Sequence, residues 1–342
     1  MQHSAESLHK TLGTISIGGN TCLYTLEKCA TLAPIINQIN HLKKEKNAVI
    51  LAHSYVSPEI LYGVADVIGD SYELSKKAKE TNAEIIVFVA VKFMAETAKL
   101  LNPEKTVLIP SKINGCSLAD SISEIDVQHL KKQYPQHTFV CYINTSAAVK
   151  AECDVCVTSS NVVEVIKKIP NDKIYFLPDA LMAKNIINDL RAQGIEKHIL
   201  YWEGSCYVHE DYDPELIAYL KLKHPELKVV SHPECTPDIL SNSDYVGSTS
   251  QMINYVKKSD SDTFLLLTEC GLSGRLALET SGKKFIGSCT LCRYMKANTC
   301  QDILRVLQDP KENDIIKIEL NTQAKALNCI EEMFRLTNSL SS

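Results

Sequence analysis

The 342-residue chain has no apolar run that could span a bilayer. Its longest, Ile85–Val91, falls far short of the ~20 residues a membrane helix needs. It also lacks a dominant charge. Thirty-six Lys and Arg against 41 Asp and Glu leave a net charge of -5, which offers no footprint for nucleic acid or an anionic membrane surface. The N-terminus has no basic stretch followed by an apolar core, so secretion is unsupported and a cytoplasmic setting is expected. The remaining composition, 45% apolar and 23% charged, fits an ordinary globular protein with room for about two domains, or three small ones.

Cysteine is what the chain has in excess. Thirteen are present, and a cytosolic setting argues against reading them as disulfides. Free cysteine also packs as a small apolar side chain, so only position in the sequence can single out functional ones.

Between residues 47 and 300 the chain alternates strand, polar turn and helix. Strands are predicted at Ala48–Ala52, Ile85–Val91, Thr106–Ile109, Thr138–Ile143, Lys173–Leu177, Ile199–Trp202, Lys228–Val230, Thr263–Thr268 and Lys284–Ile286. Helices are predicted at Tyr72–Glu80, Asn161–Ile169 and Gln251–Lys258. This alternation implies α/β architecture with parallel sheets covered by helices. The pattern also repeats. His53-Ser54-Tyr55, Tyr142-Ile143-Asn144 and His232-Pro233-Glu234 begin 89 and 90 positions apart. Ser71, Ser159 and Thr249, each just ahead of a predicted helix, are spaced 88 and 90 positions. Cys116, Cys206 and Cys292 are spaced 90 and 86 positions. Three registers on one period of about 90 residues imply three similar α/β/α (Rossmann-like) domains related by a pseudo-threefold axis. The boundaries read as an extension over 1–33, domains over 34–125, 126–215 and 216–300, and a helical tail over 301–342. Leu327, Ile330 and Phe334 mark the tail face expected to pack on the body.

Ligands of open parallel sheets sit beyond the strands' carboxyl ends, where all three repeated sets fall. A central cavity lined by His53, Tyr55, Tyr142, Asn144, His232 and Glu234 is therefore expected, with the three cysteines on one side. Ser71, Ser159 and Thr249 are either plain helix caps or, taken together, a ring of hydroxyls and helix N-termini that suits a substrate with carboxylates or a phosphate. Three convergent thiolates leave one metal position open, the mark of a catalytic site, and suit either an iron–sulfur cluster or a single zinc.

Cys153-Asp154-Val155-Cys156 and Cys289-Thr290-Leu291-Cys292 are competing C-x-x-C patterns. The first leads into a strand, where positions i and i+3 face opposite ways, which makes its cysteines poor joint ligands. In the second, Cys289 reads as a spare thiol or as a disulfide partner of Cys292. Cys22, Cys29, Cys141, Cys235, Cys270, Cys300 and Cys329 fall outside the repeat and read as structural. His209 follows Cys206 by three positions and is expected to reach the cavity, whereas the other non-repeat histidines lie in polar stretches. Glu234 is the foremost general-base candidate. Asp179, Glu203, Glu269 and Arg275 follow predicted strands and either line the cavity or pair with one another.

These residues resemble a known family. Ala52-His53-Ser54-Tyr55, Asn114-Gly115-Cys116-Ser117-Leu118-Ala119-Asp120, Gly204-Ser205-Cys206-Tyr207-Val208-His209 and His232-Pro233-Glu234-Cys235 are similar to motifs of quinolinate synthase. Cys156-Val157-Thr158-Ser159-Ser160-Asn161 and Gly247-Ser248-Thr249-Ser250-Gln251-Met252 are similar as well, in the same order and spacing. The resemblance runs from about residue 34 to the tail helix. It implies a triangular molecule of three domains around a [4Fe–4S] cluster held by Cys116, Cys206 and Cys292. It implies condensation of iminosuccinate with dihydroxyacetone phosphate, and iminosuccinate supplied by an L-aspartate oxidase. His53, Ser71, Tyr142, Ile143, Asn144, Ser159, His232, Pro233, Glu234 and Thr249 would contact substrate, and Tyr55, His209 and Glu234 would move protons. The chain departs from the family where Arg293 replaces a frequent proline after the third ligand and where Ala180-Leu181 replaces a polar pair. The rival reading is a non-catalytic metal- or anion-binding protein with a structural cysteine site, which would need a fourth protein ligand.

Overall fold

Apolar runs of two to six residues, rich in Val, Ile, Leu and Phe, fold into short strands, and the central strands of each sheet are buried on both faces, as parallel sheets under two helical layers require. The computed structural model describes residues 2–17, 20–287 and 290–338. A small antiparallel hairpin, β1 (Thr14–Ile17) and β2 (Asn20–Leu23), precedes three four-stranded parallel sheets. The first sheet holds β3 (Ala48–His53), β4 (Val67–Gly69), β5 (Ile85–Val89) and β6 (Thr106–Leu108). The second holds β7 (Thr138–Tyr142), β8 (Val155–Val157), β9 (Lys173–Leu177) and β10 (His198–Tyr201). The third holds β11 (Lys228–Ser231), β12 (Tyr245–Val246), β13 (Thr263–Leu267) and β14 (Lys284–Phe285).

All three sheets share one strand order. The second strand in sequence flanks the first on one side, and the third and fourth follow on the other, giving β4-β3-β5-β6, β8-β7-β9-β10 and β12-β11-β13-β14. The order therefore reverses beside β3, β7 and β11, the switch point at which such sheets bind ligands. β3 ends on His53, β7 on Tyr142, and β11 immediately before His232.

Nine strands lie where the sequence predicts them, to within two residues at either end. β1, β2, β4 and β12 carry no sequence prediction, and β8 is anticipated only as the strand after Cys153-Asp154-Val155-Cys156; in β4 and β12, runs of two or three residues cannot display a two-residue alternation. The helix predictions need one correction of register. Ser71 and Thr249 are not caps but the first helical residues of Ser71–Glu80 and Thr249–Lys258. The caps are Asp70, which accepts from the Glu73 N–H, and Ser248, which forms a reciprocal capping box with Gln251. Ser159 lies two positions ahead of Asn161, the cap of Val162–Lys168. The Ser71 and Thr249 hydroxyls are thus released from capping.

The terminal segments close the body. Helices Ala5–Leu12 and Leu26–Glu45 pack together through Leu8, Leu12, Ile36 and Ile39, all fully buried, and the second runs through residue 34 with Pro34 inside it. The tail helix Leu320–Asn338 packs on helix Ala147–Ala151 and on β8. Its deepest face is Ala326, Cys329, Ile330 and Met333, so of the three residues expected there only Ile330 is fully buried. Leu327 and Phe334 are half-buried, with Phe334 resting 5.9 Å from the Tyr72 ring.

Candidate functional site

The carboxyl ends of the three sheets face one cavity. It is lined by His53, Tyr55, Ser71, Tyr142, Ile143, Asn144, Ser159, His209, His232, Glu234 and Thr249, and by Cys116, Cys206 and Cys292. Every residue singled out for this site in the sequence therefore reaches it except Pro233. That residue lines a neighbouring cavity together with Asn185, which donates to the Pro233 carbonyl at 2.9 Å.

A chain of polar contacts crosses the cavity wall, hydrogen-bonded at every link but the ion-pair contact of His209 with Glu234. The Tyr55 hydroxyl lies 2.8 Å from Thr249 Oγ1 and 2.7 Å from Thr268 Oγ1. Thr268 Oγ1 is in turn 2.9 Å from His209 Nε2, whose Nδ1 stands 3.1 Å from Glu234 Oε2. Tyr142 closes the chain by donating to Glu234 Oε1 at 2.7 Å. The groups come from all three sheets, and each is buried.

Electrostatics sets their protonation. Burial pushes the Glu234 carboxyl up, but His209, His232 and the Tyr142 hydroxyl together bring it down to about 2, so it is an anion. Burial lowers His53 to about 4 and His232 to about 3, and both rings are neutral at pH 7. The Tyr55 N–H donates to His53 Nδ1 at 3.2 Å, and the Glu234 N–H to His232 Nδ1 at 3.4 Å. Each neutral ring then carries its proton on Nε2 and is a donor there. Burial drives the Tyr55 and Tyr142 phenols well above their ordinary value, which keeps both protonated.

The three cavity cysteines are half-buried free thiols set in one recurring way. Cys206 caps the turn Tyr207–Glu210, Cys292 caps Arg293–Lys296, and Cys116 precedes the turn Ala119–Ser121. Backbone N–H groups two or three residues on reach each sulfur: Leu118 and Ala119 for Cys116, Val208 for Cys206, Tyr294 and Met295 for Cys292. Burial raises all three thiols, Cys116 to about 12, so a bound cation is what would turn them into thiolates. Among the described residues, Cys206 Sγ also joins His209 and Glu234 in a group of ligand atoms within 4.8 Å of one another.

Four further groups acquire clear positions. Glu269 lines the cavity, accepts the Cys292 N–H at 3.1 Å and pairs with Lys296 Nζ at 3.1 Å, fixing the third cysteine loop. Arg275 pairs with Glu279 and donates to Ser54 Oγ at 2.7 Å. Asp179 is buried at the cap of Ala180–Ala192, and Glu203 is exposed. Sequence reasoning missed Thr268, the link between Tyr55 and His209. Its signals are a hydroxyl at the end of an apolar strand and a Thr268-Glu269 pair similar to the family's. Cys289, expected as a spare thiol or partner for Cys292, lies outside the described residues, while Cys292 is a free thiol. Cys270, expected to be an ordinary core thiol, is disulfide-bonded.

Comparison with known proteins identifies the family. The family model described as quinolinate synthetase A protein matches residues 37–335. A quinolinate synthase of Sinorhizobium fredii is 46% identical over 308 residues, covering 90% of this chain and 84% of that protein. One of Xylella fastidiosa is 43% identical over 88% of this chain and 87% of its own length, and one of Caulobacter vibrioides 41% identical over 86% and 80%. With that likeness spanning every element that lines the cavity, the chain belongs to the quinolinate synthase family.

Proposed function

We propose that this chain condenses iminosuccinate with dihydroxyacetone phosphate to quinolinate, with loss of phosphate and water, as a cytoplasmic step of NAD biosynthesis. The observation that carries this reading is the chain of buried polar contacts Thr249–Tyr55–Thr268–His209–Glu234–Tyr142, its His209–Glu234 link an ion-pair contact, beside three cysteine thiols. Such a pairing supplies both proton movement and a metal site with an open position. No described helix is long and apolar enough to cross a membrane.

The donor set fits a [4Fe–4S] cluster held by Cys116, Cys206 and Cys292. Three soft sulfurs, each met by backbone N–H groups, match the hydrogen bonding that tunes such clusters. When bound, the cluster supplies an iron with an open position that acts as a Lewis acid on a substrate oxygen. The chain's own residues do the rest. His53 and His232 offer Nε2–H donors, and Ser71, Ser159 and Thr249 offer hydroxyls beside helix starts, a set matched to carboxylates and phosphate. Tyr142, Ile143 and Asn144 form the wall between them, and Pro233 fixes the turn between His232 and Glu234. Glu234 takes a proton, His209 passes it to Thr268, and Tyr55 holds the far end of the path. The common strand order of the three sheets supports domains over 34–125, 126–215 and 216–300 around a pseudo-threefold axis. An L-aspartate oxidase is the proposed source of the labile imine.

The closeness of Cys206, His209 and Glu234 favours a second reading, a single metal ion held by those three. Protein purified without oxygen separates the two. The cluster reading expects iron and acid-labile sulfide at about four each per chain, lost together in Cys116→Ala, Cys206→Ala and Cys292→Ala, and quinolinate formed from the two substrates. One metal without sulfide, retained in Cys116→Ala and lost in His209→Ala, would overturn it.

A further inference from the structure

Four cysteines that the cavity does not use meet inside the second domain. Cys141 on β7 pairs across the sheet with Cys156 on β8, Cys153 lies in the turn before β8, and Cys329 comes down from the tail helix. All four are buried free thiols. Cys141 Sγ stands 3.6 Å from Cys329 Sγ and is also within hydrogen-bonding reach of Cys153 and Cys156. The sequence pattern treats these as unrelated core residues, with the C-x-x-C pair facing opposite ways. The fold instead gathers them around one sulfur.

Their arrangement distinguishes metal binding from redox chemistry. A tetrahedral thiolate site places every sulfur close to every other, about 3.8 Å apart for metal–sulfur bonds near 2.3 Å. Among the described residues, the ligand atoms that come within 4.8 Å of one another in a set of three or more are those of Cys206, His209 and Glu234. The four thiols therefore radiate from Cys141 and do not enclose a common centre. Burial alone would push the Cys141 thiol up, but hydrogen bonds from its three neighbours, with the charge of Lys150, hold it well below the ordinary thiol value. Burial raises Cys153, Cys156 and Cys329 well above theirs. The thiol lowered in this way is the strongest nucleophile of the four, with resolving partners in reach.

We propose that these four thiols form a second redox site, distinct from the cavity cysteines, in which Cys141 is oxidised to a disulfide with Cys329. Cys329 is the partner because its sulfur stands 3.6 Å from that of Cys141 on a separate element, whereas Cys156 is fixed by strand pairing. With hydrogen peroxide as oxidant, the Cys141 thiolate attacks one oxygen and the O–O bond breaks, giving a sulfenic acid and hydroxide. The Cys329 thiol then displaces water from that sulfur as the S–S bond forms. The hydroxide takes up the proton released when Cys141 ionised, so two thiols and one peroxide give one disulfide and two waters. Peroxide reaches the cluster when the tail helix lifts from β8, and the bond then fastens that helix to the strand leading into Tyr142.

The test is a peptide map. The intact, cluster-loaded protein is treated with a small excess of hydrogen peroxide, its remaining thiols are blocked, and it is digested without reductant for mass spectrometry. A linked pair containing Cys141 and Cys329, lost on adding dithiothreitol, is expected. The oxidised protein should melt about 5 °C higher than the reduced one, a shift absent in Cys329→Ala. Recovery of both peptides unlinked overturns the proposal, and so does linkage of Cys141 to Cys153 or Cys156. A metal ion that co-purifies with the protein and is released by Cys329→Ala, but not by Cys116→Ala, also overturns it and makes the cluster a metal site. The wild-type map needs no variant, so a misfolded Cys329→Ala leaves the test intact.

Discussion

At Glu234 and His53 the same burial is met in different ways, and the difference is measurable. Glu234 has two imidazoles and a phenol to hold its charge, so Glu234→Gln should lower quinolinate formation by at least ~100-fold while the fold survives. His53 and His232 have no such support for a proton, and burial lowers them to about 4 and about 3. A base depressed in the folded state contributes stability that is fully present above its unfolded value and is lost as pH falls through the folded one. Stability measured by urea denaturation should therefore decline from about pH 6.5 downward. His53→Gln should remove roughly 3 kcal/mol of that decline, since 2.5 units correspond to about that much. Asp179 is a contrasting case. Burial and then the charge of Glu234 push its carboxyl well above the ordinary range, one oxygen caps the Met182 N–H at 2.9 Å, and the other has no partner. Asp179→Asn should thus keep its stability at pH 7, whereas Asp179→Ala should lose about 1–2 kcal/mol of it. The repeat spacing makes the proposed ligands and contacts legible in the sequence. The link made by Thr268 is not legible, because it depends on where Tyr55 and His209 end up, and Glu269 is legible as a cavity or pairing candidate but not as the anchor of the Cys292 loop.

Elements matter here chiefly through their starts. Ser248 caps Thr249–Lys258 with Gln251, and its hydroxyl also reaches Asp70, the cap of Ser71–Glu80, at 3.3 Å. Two helix starts from different sheets are thereby fixed against each other, and each presents its first hydroxyl to the cavity. Ser248→Ala should lower stability by about 1 kcal/mol in urea denaturation and raise the KM for dihydroxyacetone phosphate more than it lowers kcat. Sequence alone places both helices within two residues but assigns the caps one position late. The repeat aligns Ser71 with Thr249, and both Asp-Ser and Ser-Thr offer two plausible capping side chains in a row. Only the backbone angles of Asp70 and Ser248, extended before the helix begins, decide between them. The unforeseen β4 and β12 are legible afterwards by analogy with β8, which the first C-x-x-C pattern leads into.

For the whole molecule, the tail helix is a structural member of the second domain. Ala326, Cys329, Ile330, Met333 and Leu336 are buried against it, and at about 1.5–3 kcal/mol for each large side chain their loss is severe. A chain ending at Glu319 should unfold at clearly lower urea than the full chain. The three parallel sheets are readable because the repeat period carries them; the docking of residues 2–45 is not, because those helices belong to no repeat. A last consequence follows from the way the cavity wall is shared. Tyr55 comes from the first sheet's end, Tyr142 and His209 from the second, and Thr249, Thr268 and Glu234 from the third. The chain of polar contacts thus works as a shared circuit, with its links crossing from one sheet's loops to the next. In the proposed reaction, proton movement is therefore a property of how the three sheets sit together, and no one of them carries it alone.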